Sequence, residues 1–407
     1  MGIITAVVLL SVLGFAGRTV ARRVGLPAIS GYLLAGMILG HSVSGALSDE
    51  TITDLSDYVT PLSLGFIAYL IGGRLKLSSL NSYRRQIAVI TMAEALVSWL
   101  LTILAIVFIG PLVLPESSFD FNTFLAMGFL AGAISLATAP AATLAIVEES
   151  HANGPVTVTL LAVVAIDDAL AALAYSISIV IGTGLLGGDN GGASAEQIFI
   201  ELAHIGISVV IGMAGAWLLL RVASVESGKR TRQALVIASL LMVTGVIEHY
   251  GLSVVLACMT AGFIVANQER MSSDLVSPMR VFEGAVFALF FTLAGAHLDI
   301  GVLREAGPLA LLIILGRSAG KVSGVSAGAN FADAPEAVRR YLPLLLLPQA
   351  GITLGLALHL LEEPALAAVS STLVPAILAS TLINEMVAPP ISRWALSAAG
   401  EANQDSS

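Results

Sequence analysis

Charged residues are scarce in this chain. Lys, Arg, Asp and Glu together make up 12% of its 407 residues, whereas hydrophobic residues make up 57% and the mean hydropathy is +0.92. Soluble domains carry about 25% charged residues and about 45–50% apolar ones. The composition therefore excludes a water-soluble globular protein and indicates a polytopic membrane protein.

The sequence has a single cysteine and no recognisable cleavage site. A single cysteine excludes an intramolecular disulfide and a cysteine-based metal cluster. Because Cys258 lies inside an apolar run, we expect it to be a small buried hydrophobic residue. The first apolar run, 3–16, has no basic residue before it and is followed by Arg18, Arg22 and Arg23 rather than by small residues. We expect this run to be a retained membrane span.

Thirteen apolar segments are predicted to be membrane spans, with boundaries soft by about two to four residues, because a bilayer core about 30 Å thick needs about 20 mostly apolar helical residues. The predicted segments are 3–20, 28–47, 59–74, 86–114, 121–148, 154–184, 197–220, 234–248, 251–267, 281–298, 306–330, 340–361 and 366–396. The predicted fold class is an all-α polytopic membrane protein of about thirteen helices, and we expect no soluble insertion larger than a loop and only a short tail.

Basic residues are distributed unequally between the two sides that these spans define. Sixteen of the nineteen Lys and Arg residues fall on one side, two fall inside segment 11, and only Arg304 falls on the other side. That other side carries acids between segments 2 and 3, namely Asp49, Glu50, Asp54 and Asp57. Cytoplasmic loops are enriched in Lys and Arg. With an odd number of spans, this distribution predicts an external N-terminus and a cytoplasmic C-terminus.

Two adjacent acids, Asp167 and Asp168, stand in the middle of segment 6. An ionisable group at bilayer depth costs at least about 2.5–3.5 kcal/mol and is a functional-site hypothesis by default. Adjacent helical positions are about 100° apart, so the two carboxylates cannot face each other across one proton. We expect one of them to meet a partner and the other to face a different environment.

Segment 11 supplies counter-charges in Arg317 and Lys321, which are four residues apart and therefore share a helix face. A buried ammonium beside a carboxylate can hold or release a proton as its partner moves. The alternative is that these side chains reach the membrane interface, which suits Arg317 better than the more central Lys321.

Two spans contain helix-breaking residues. Segment 5 is interrupted at Ser135–Pro140, which includes Thr138, and segment 12 is interrupted at 348–351, after Pro348. Broken helices in corresponding positions of two halves point to a transporter's binding site. The two interruptions are seven segments apart, and because seven is odd, this offset predicts an inverted repeat.

Three further polar residues lie within spans, namely Glu94, Glu385 and Asn384. Glu94 and Glu385 are secondary candidates that face a cavity or pair with Arg317, and a purely structural role is equally open. Ser135, at the segment 5 interruption, and Arg317 are further secondary candidates for the site.

The chain resembles the monovalent cation:proton antiporter superfamily, in the two-aspartate branch of NapA- and NhaA-like sodium/proton antiporters. The resemblance covers nearly the whole length, and its most specific part is the Asp-Asp pair together with the Gly-Arg-x-x-Gly-Lys segment. It also includes motifs at 25–36, 69–73, 251–262 and 290–295.

The resemblance implies roles for particular residues. Asp168 corresponds to the main ion- and proton-binding carboxylate, Asp167 to the aspartate that forms a salt bridge with Lys321, and Thr138 to a neighbour of the ion site. Both aspartates would contact Na⁺, and Lys321 would act as a salt-bridge partner and proton carrier.

The resemblance also implies an architecture with inverted repeats and two crossed broken helices. Core helices would occupy 84–186 and 302–398, panel helices that form a homodimer would occupy 1–80 and 232–300, a linker helix would span 197–221, and a short cytoplasmic tail would follow at 399–407.

Two features differ from related families. Kef-type potassium efflux systems add a nucleotide-binding domain and tend to have Glu where this chain has Ile352, which argues against potassium efflux. The additional aspartate of NhaA in the segment 5 interruption is replaced here by a polar or small residue, so ion affinity need not match.

We therefore expect a secondary antiporter, and not an enzyme, that exchanges intracellular Na⁺ or Li⁺ for external protons electrogenically. It would need no cofactor and bind no nucleic acid, and it would reside in a bacterial or archaeal cell membrane. An electroneutral antiporter of K⁺, or of K⁺ and Na⁺, is the alternative, followed by a sodium-coupled organic-anion symporter. An intramembrane aspartyl protease is disfavoured because its two aspartates oppose each other across separate helices.

Overall fold

The computed structural model describes residues 2–41, 43–114, 119–186, 195–225, 228–268, 272–297, 300–349, 352–361 and 363–402. Within these ranges every regular element is helical. Nine of the described helices are long and apolar enough to cross a membrane, and shorter apolar helices accompany them. The predicted all-α polytopic fold class is confirmed.

The helices follow the predicted segments closely. In chain order they are α1 (Ile3–Arg23), α2 (Ala28–Leu39), α3 (Asp49–Arg74), α4 (Leu77–Val113), α5 (Phe121–Ile134), α6 (Pro140–Glu149), α7 (Pro155–Leu185), α8 (Ala195–Val225), α9 (Lys229–His249), α10 (Val254–Ala266), α11 (Ser272–Leu275), α12 (Arg280–Ala296), α13 (Ile300–Phe331), α14 (Glu336–Leu345), α15 (Ile352–Leu361) and α16 (Ala367–Ala398). Eleven predicted segments are single helices. Segments 5 and 12 are helix pairs, α5/α6 and α14/α15.

Both predicted interruptions are present, and they meet. Residues 137–139 are not helical, and Pro140, which has no N–H to lose, occupies the first position of α6. In the second interruption, residues 347–349 are also non-helical, while Ala350 and Gly351 lie outside the described residues. The Ala139 N–H donates to the Pro348 carbonyl at 3.0 Å, so unwound backbone of one span satisfies unwound backbone of the other.

Three predicted boundaries are wrong. Helix α2 ends at Leu39 rather than at 47, and α4 begins at Leu77 rather than at 86. The span predicted from residue 59 belongs to a helix that begins at Asp49, so the acids expected in a loop lie in its first turns. Ser48 caps α3 by accepting a hydrogen bond from the Thr51 N–H, and Asp49 and Glu50 stabilise the positive end of the helix dipole. Hydropathy marks the apolar part of the helix, whereas capping fixes where the helix begins.

The chain divides into two compact units. The first contains residues 1–82, 144–149 and 203–299. Within it, helices α3 and α10 pack backbone to backbone through glycine: a Cβ at Gly262 would lie 2.0 Å from the Tyr69 carbonyl oxygen, and one at Gly72 would lie 2.0 Å from that of Met259. Such close contacts replace the hydrophobic driving force that is missing between helices in lipid. Cys258 is buried in this unit, as expected.

The second unit contains residues 83–143, 150–202 and 300–407. Within it, α13 packs on α4 through a line of four glycines at intervals of four residues. A Cβ on any of them would lie 2.4–3.1 Å from a Cα atom of α4; the glycines are Gly316, Gly320, Gly324 and Gly328, and the facing residues are Thr102, Ser98, Glu94 and Ile90. This line fixes the register of α4 against α13.

A residue far along the chain caps the N-terminus of α7 in this unit. The N-cap residue, Gly154, has no side chain to offer, and Glu401 takes its place. The Glu401 carboxylate accepts from the Val156 N–H at 2.7 Å, from the Thr157 N–H at 2.8 Å and from the Thr157 hydroxyl at 2.7 Å. A Cβ at position 154 would lie 2.4 Å from Glu401 Cδ, so glycine is needed for this approach.

Replacing Glu401 with Ala should therefore destabilise the protein by about 1 kcal/mol, the usual effect of losing a helix N-cap. We expect a lower midpoint of thermal unfolding in detergent. Glu248→Ala, the same change at an exposed position in the last turn of α9, is the matched control and should not lower the midpoint. Equal midpoints for the Glu401→Ala variant and the unmodified protein would show that water caps α7 equally well.

Candidate ion-binding site

Helix α7 places Asp167 and Asp168 in the interior of the second unit, where the two residues are 1% and 2% exposed. Oδ2 of Asp167 accepts hydrogen bonds from the Thr138 hydroxyl at 2.6 Å and from Lys321 Nζ at 3.3 Å. Within the described part of the chain, Asp168 has no cationic side chain within 4.0 Å, and its Oδ1 atom has no hydrogen-bond partner. The two carboxylates thus occupy different environments.

Thr138 lies in the non-helical stretch between α5 and α6, and its hydroxyl connects Asp167 with Lys321. Its hydroxyl donates to Asp167 and accepts from Lys321 Nζ at 2.8 Å. A helix through this point would direct the main-chain groups of residues 136–139 into its own hydrogen bonds. The interruption frees them, and the Leu136 carbonyl accepts from Lys321 Nζ at 2.6 Å.

Lys321 is 0% exposed and lies among four oxygen atoms. Besides Leu136, Thr138 and Asp167, its Nζ lies 2.5 Å from Oε1 of Glu94, at ion-pair distance but without hydrogen-bond geometry. An ammonium has three protons to donate. Four acceptors therefore compete for three donors.

Arg317, one helical turn before Lys321, holds the two interruptions together. Its guanidinium donates to five main-chain carbonyls at 2.5–3.4 Å, those of Ser135, Ala137, Leu346, Leu347 and Pro348. The carbonyls at and beyond the ends of α5 and α14 have no partner within those helices, and they carry partial negative charge. A five-donor planar cation suits them.

The structure contradicts two sequence interpretations of Arg317. The side chain does not reach the membrane interface, since it is 0% exposed. It also does not pair with Glu94 or Glu385, because among the described residues no carboxylate lies within 4.0 Å of it. Its partners are main-chain carbonyls, and the amino-acid sequence does not show which carbonyls a buried arginine contacts.

The other polar candidates, Asn384, Glu385 and Ser135, have different surroundings. Asn384 donates to the Gln349 side-chain oxygen at 3.1 Å. Glu385 is buried on α16, without a cation within 4.0 Å in the described ranges. Ser135 contributes its carbonyl to Arg317, while its buried hydroxyl has no partner among the described residues.

Sequence reasoning missed the pairing of Glu94 with Lys321. The signal was present, since the glycines at 316, 320, 324 and 328 mark a helix-packing face, and Lys321 directly follows one of them. What the sequence could not provide was the helix that packs there.

The site offers oxygen atoms to a hard cation without forming a resident metal centre. Over the described ranges, no group of three or more His, Cys, Asp or Glu residues converges on a metal-sized site. Oδ1 of both Asp167 and Asp168 is buried and lacks a hydrogen-bond partner there. A buried carboxylate oxygen of this kind can accept either a proton or a cation.

In this structure two interrupted spans meet beside buried acidic and basic side chains. This architecture is typical of secondary ion transporters. Comparison with known proteins defines the class further. The family model for the transmembrane sodium/hydrogen exchanger matches residues 7–394, and the chain belongs to this family. It is therefore a membrane transporter of ions and not an enzyme, and it carries no cofactor.

Solved structures agree on the fold. The chain is similar to the sodium proton antiporter MjNhaP1 from Methanocaldococcus jannaschii at pH 8, with a TM-score of 0.75, 20% identity and coverage of 98% of both chains. It is also similar to the electron-microscopy structure of the same antiporter, with a TM-score of 0.75, 19% identity and coverage of 99% of both chains.

Proposed function

We propose that this protein exports Na⁺ or Li⁺ from the cytoplasm in exchange for external protons, electrogenically and by alternating access. The observation that carries the proposal is the pair of environments on α7: Asp167 is held by Thr138 and Lys321, and Asp168 beside it is buried without a cationic partner among the described residues.

In this proposal, sodium and protons compete for the same carboxylates. A hard cation prefers oxygen ligands, and Asp168, Asp167, main-chain carbonyls near Thr138 and water would provide them. Sodium that binds to Asp167 displaces Lys321, and sodium that binds to Asp168 displaces its proton. A bound ion or proton cancels one negative charge at the site, which lowers the cost of moving it past apolar surroundings.

The charge balance follows from the number of groups that titrate. One proton comes from Asp168 and a second comes from the ion-pair network of Lys321, so two protons would exchange for one sodium. One net charge would then cross the membrane in each cycle. The excess of Lys and Arg on one side supports an external N-terminus and a cytoplasmic C-terminus. A homodimer through the panel helices and residence in a bacterial or archaeal cell membrane belong to the same proposal.

The test is transport by the purified protein in liposomes that contain a trapped pH-sensitive dye. Gradients of Na⁺, Li⁺ and K⁺ are imposed in turn, with and without a clamped membrane potential. We expect proton movement with Na⁺ or Li⁺ and stimulation by the potential. Exchange with K⁺ alone, indifferent to the potential, would contradict the proposed cation and the proposed electrogenicity.

A further inference from the structure

Glu94 is a third buried carboxylate at the site, and it comes from a different helix. It lies on α4 and is 1% exposed, and its Oε1 atom is 2.5 Å from Lys321 Nζ, closer than Oδ2 of Asp167 at 3.3 Å. Its other oxygen, Oε2, has no hydrogen-bond partner among the described residues. Lys321 therefore stands between two carboxylates that face it from α4 and α7.

Backbone contact holds Glu94 in this position. A Cβ at Gly324 would lie 2.9 Å from Glu94 Cα, and one at Gly320 would lie 2.4 Å from Ser98 Cα. Since α4 and α13 touch at both points, the backbone of Glu94 cannot move away from α13 without separating the helices. The packing thus keeps Glu94 and Lys321 within side-chain reach of each other.

Sodium binding changes the partners of Lys321. When sodium occupies Asp167 and Asp168, the ammonium loses Asp167 but still faces Glu94. If Lys321 then gave up its proton beside an ionised Glu94, the carboxylate would be buried without a cation, which is costly. If it did so beside a protonated Glu94, the acid would be only 2.5 Å from a more basic amine and would pass its proton to it, which amounts to release from Glu94. If Glu94 gives up its proton instead, every charge keeps a partner: sodium with the two aspartates, and Lys321 with Glu94.

We propose that Glu94 carries the second proton of the exchange and that Lys321 stays charged throughout, pairing with Asp167 in the protonated state and with Glu94 in the sodium-bound state. This assignment rests on the proposed function and deepens it. Binding of one Na⁺ releases one proton from Asp168 and one from Glu94, and the site becomes more negative by one charge. The family resemblance by itself places the second proton on Lys321 instead.

The deciding experiment measures the number of protons exchanged per sodium in the reconstituted full chain. Sodium and pH gradients are fixed, and the membrane potential at which net flux is zero gives the ratio. We expect two protons per sodium for the unmodified protein. Glu94→Gln should keep exchanging sodium, at half that ratio and independently of the potential. Ser98→Ala, one turn further along the same face of α4, controls for altered packing and should keep the ratio of two.

Lys321→Arg is the complementary variant, because a guanidinium does not release its proton in proteins. If Glu94 carries the proton, this variant should retain a ratio of two. A ratio of two in Glu94→Gln, or a ratio of one in Lys321→Arg, would overturn the assignment and return the proton to the lysine. A ratio of one in the unmodified protein would also overturn it while leaving sodium/proton exchange intact. Failure of sodium to drive any proton movement would instead reject the proposed function itself.

Discussion

Replacing Asp168 with Asn should abolish sodium-driven proton movement while leaving the protein folded. Asn has nearly the same shape but can neither take up a proton at neutral pH nor supply a negative charge to a hard cation. Since Asp168 has no cationic partner among the described residues, its neutralisation breaks no ion pair there. Liposome transport should fall to the level of protein-free vesicles, and the thermal unfolding midpoint should hold or rise.

Asp120→Asn is the matched control for that experiment. Asp120 caps α5 by accepting from the Thr123 N–H at 2.9 Å, and Asn caps helices equally well. The same chemical change at position 120 should therefore alter neither transport nor stability. Retained exchange in Asp168→Asn would remove Asp168 from the site and with it the central part of the proposed mechanism.

Replacing Arg317 should have the largest effect on folding. In Arg317→Gln, most of the five carbonyls that the guanidinium satisfies lose their donor in a buried place. Each unsatisfied buried polar group costs about 1–3 kcal/mol, so we expect a loss of about 3 kcal/mol or more. Non-helical backbone survives at membrane depth only when it is satisfied. The yield of monodisperse protein on size exclusion and the thermal unfolding midpoint should both fall sharply.

Arg317→Lys separates the charge from the geometry. Lysine keeps the positive charge but cannot reach five carbonyls with the planar fork of a guanidinium. We expect it to rescue little of the stability, whereas Arg85→Gln, at an exposed position in the same unit, should be harmless. Full rescue by lysine would show that charge alone holds the interruptions together.

Much of this architecture can be predicted from the sequence, because ionisable and helix-breaking residues are easy to recognise within apolar membrane spans. Asp167, Asp168 and Lys321 stand out since ionisable residues are rare in apolar spans, and Pro140 and Pro348 mark the interruptions because proline ends helices. The start of α3 was missed because hydropathy is blind to a cap such as Ser48.

Contacts that depend on tertiary packing could not be derived in the same way. The partners of Arg317 are main-chain carbonyls. Every residue has such a carbonyl, so the sequence does not indicate which of them Arg317 contacts. The pairing of Lys321 with Glu94 requires knowing that α13 packs on α4, over 200 residues away in sequence. The cap that Glu401 supplies to α7 joins residues 245 positions apart, and no local pattern announces it.

That cap has a consequence for how the protein is made. A ribosome completes α7, with both aspartates, long before it reaches Glu401, so the helix enters the membrane with the first N–H groups lacking the acceptor they have in the finished protein. Until the last helices are inserted, those groups depend on water at the membrane surface. The helix that carries the aspartates thus receives its N-cap late in biogenesis. A nascent chain interrupted before residue 401 would have α7 without that cap.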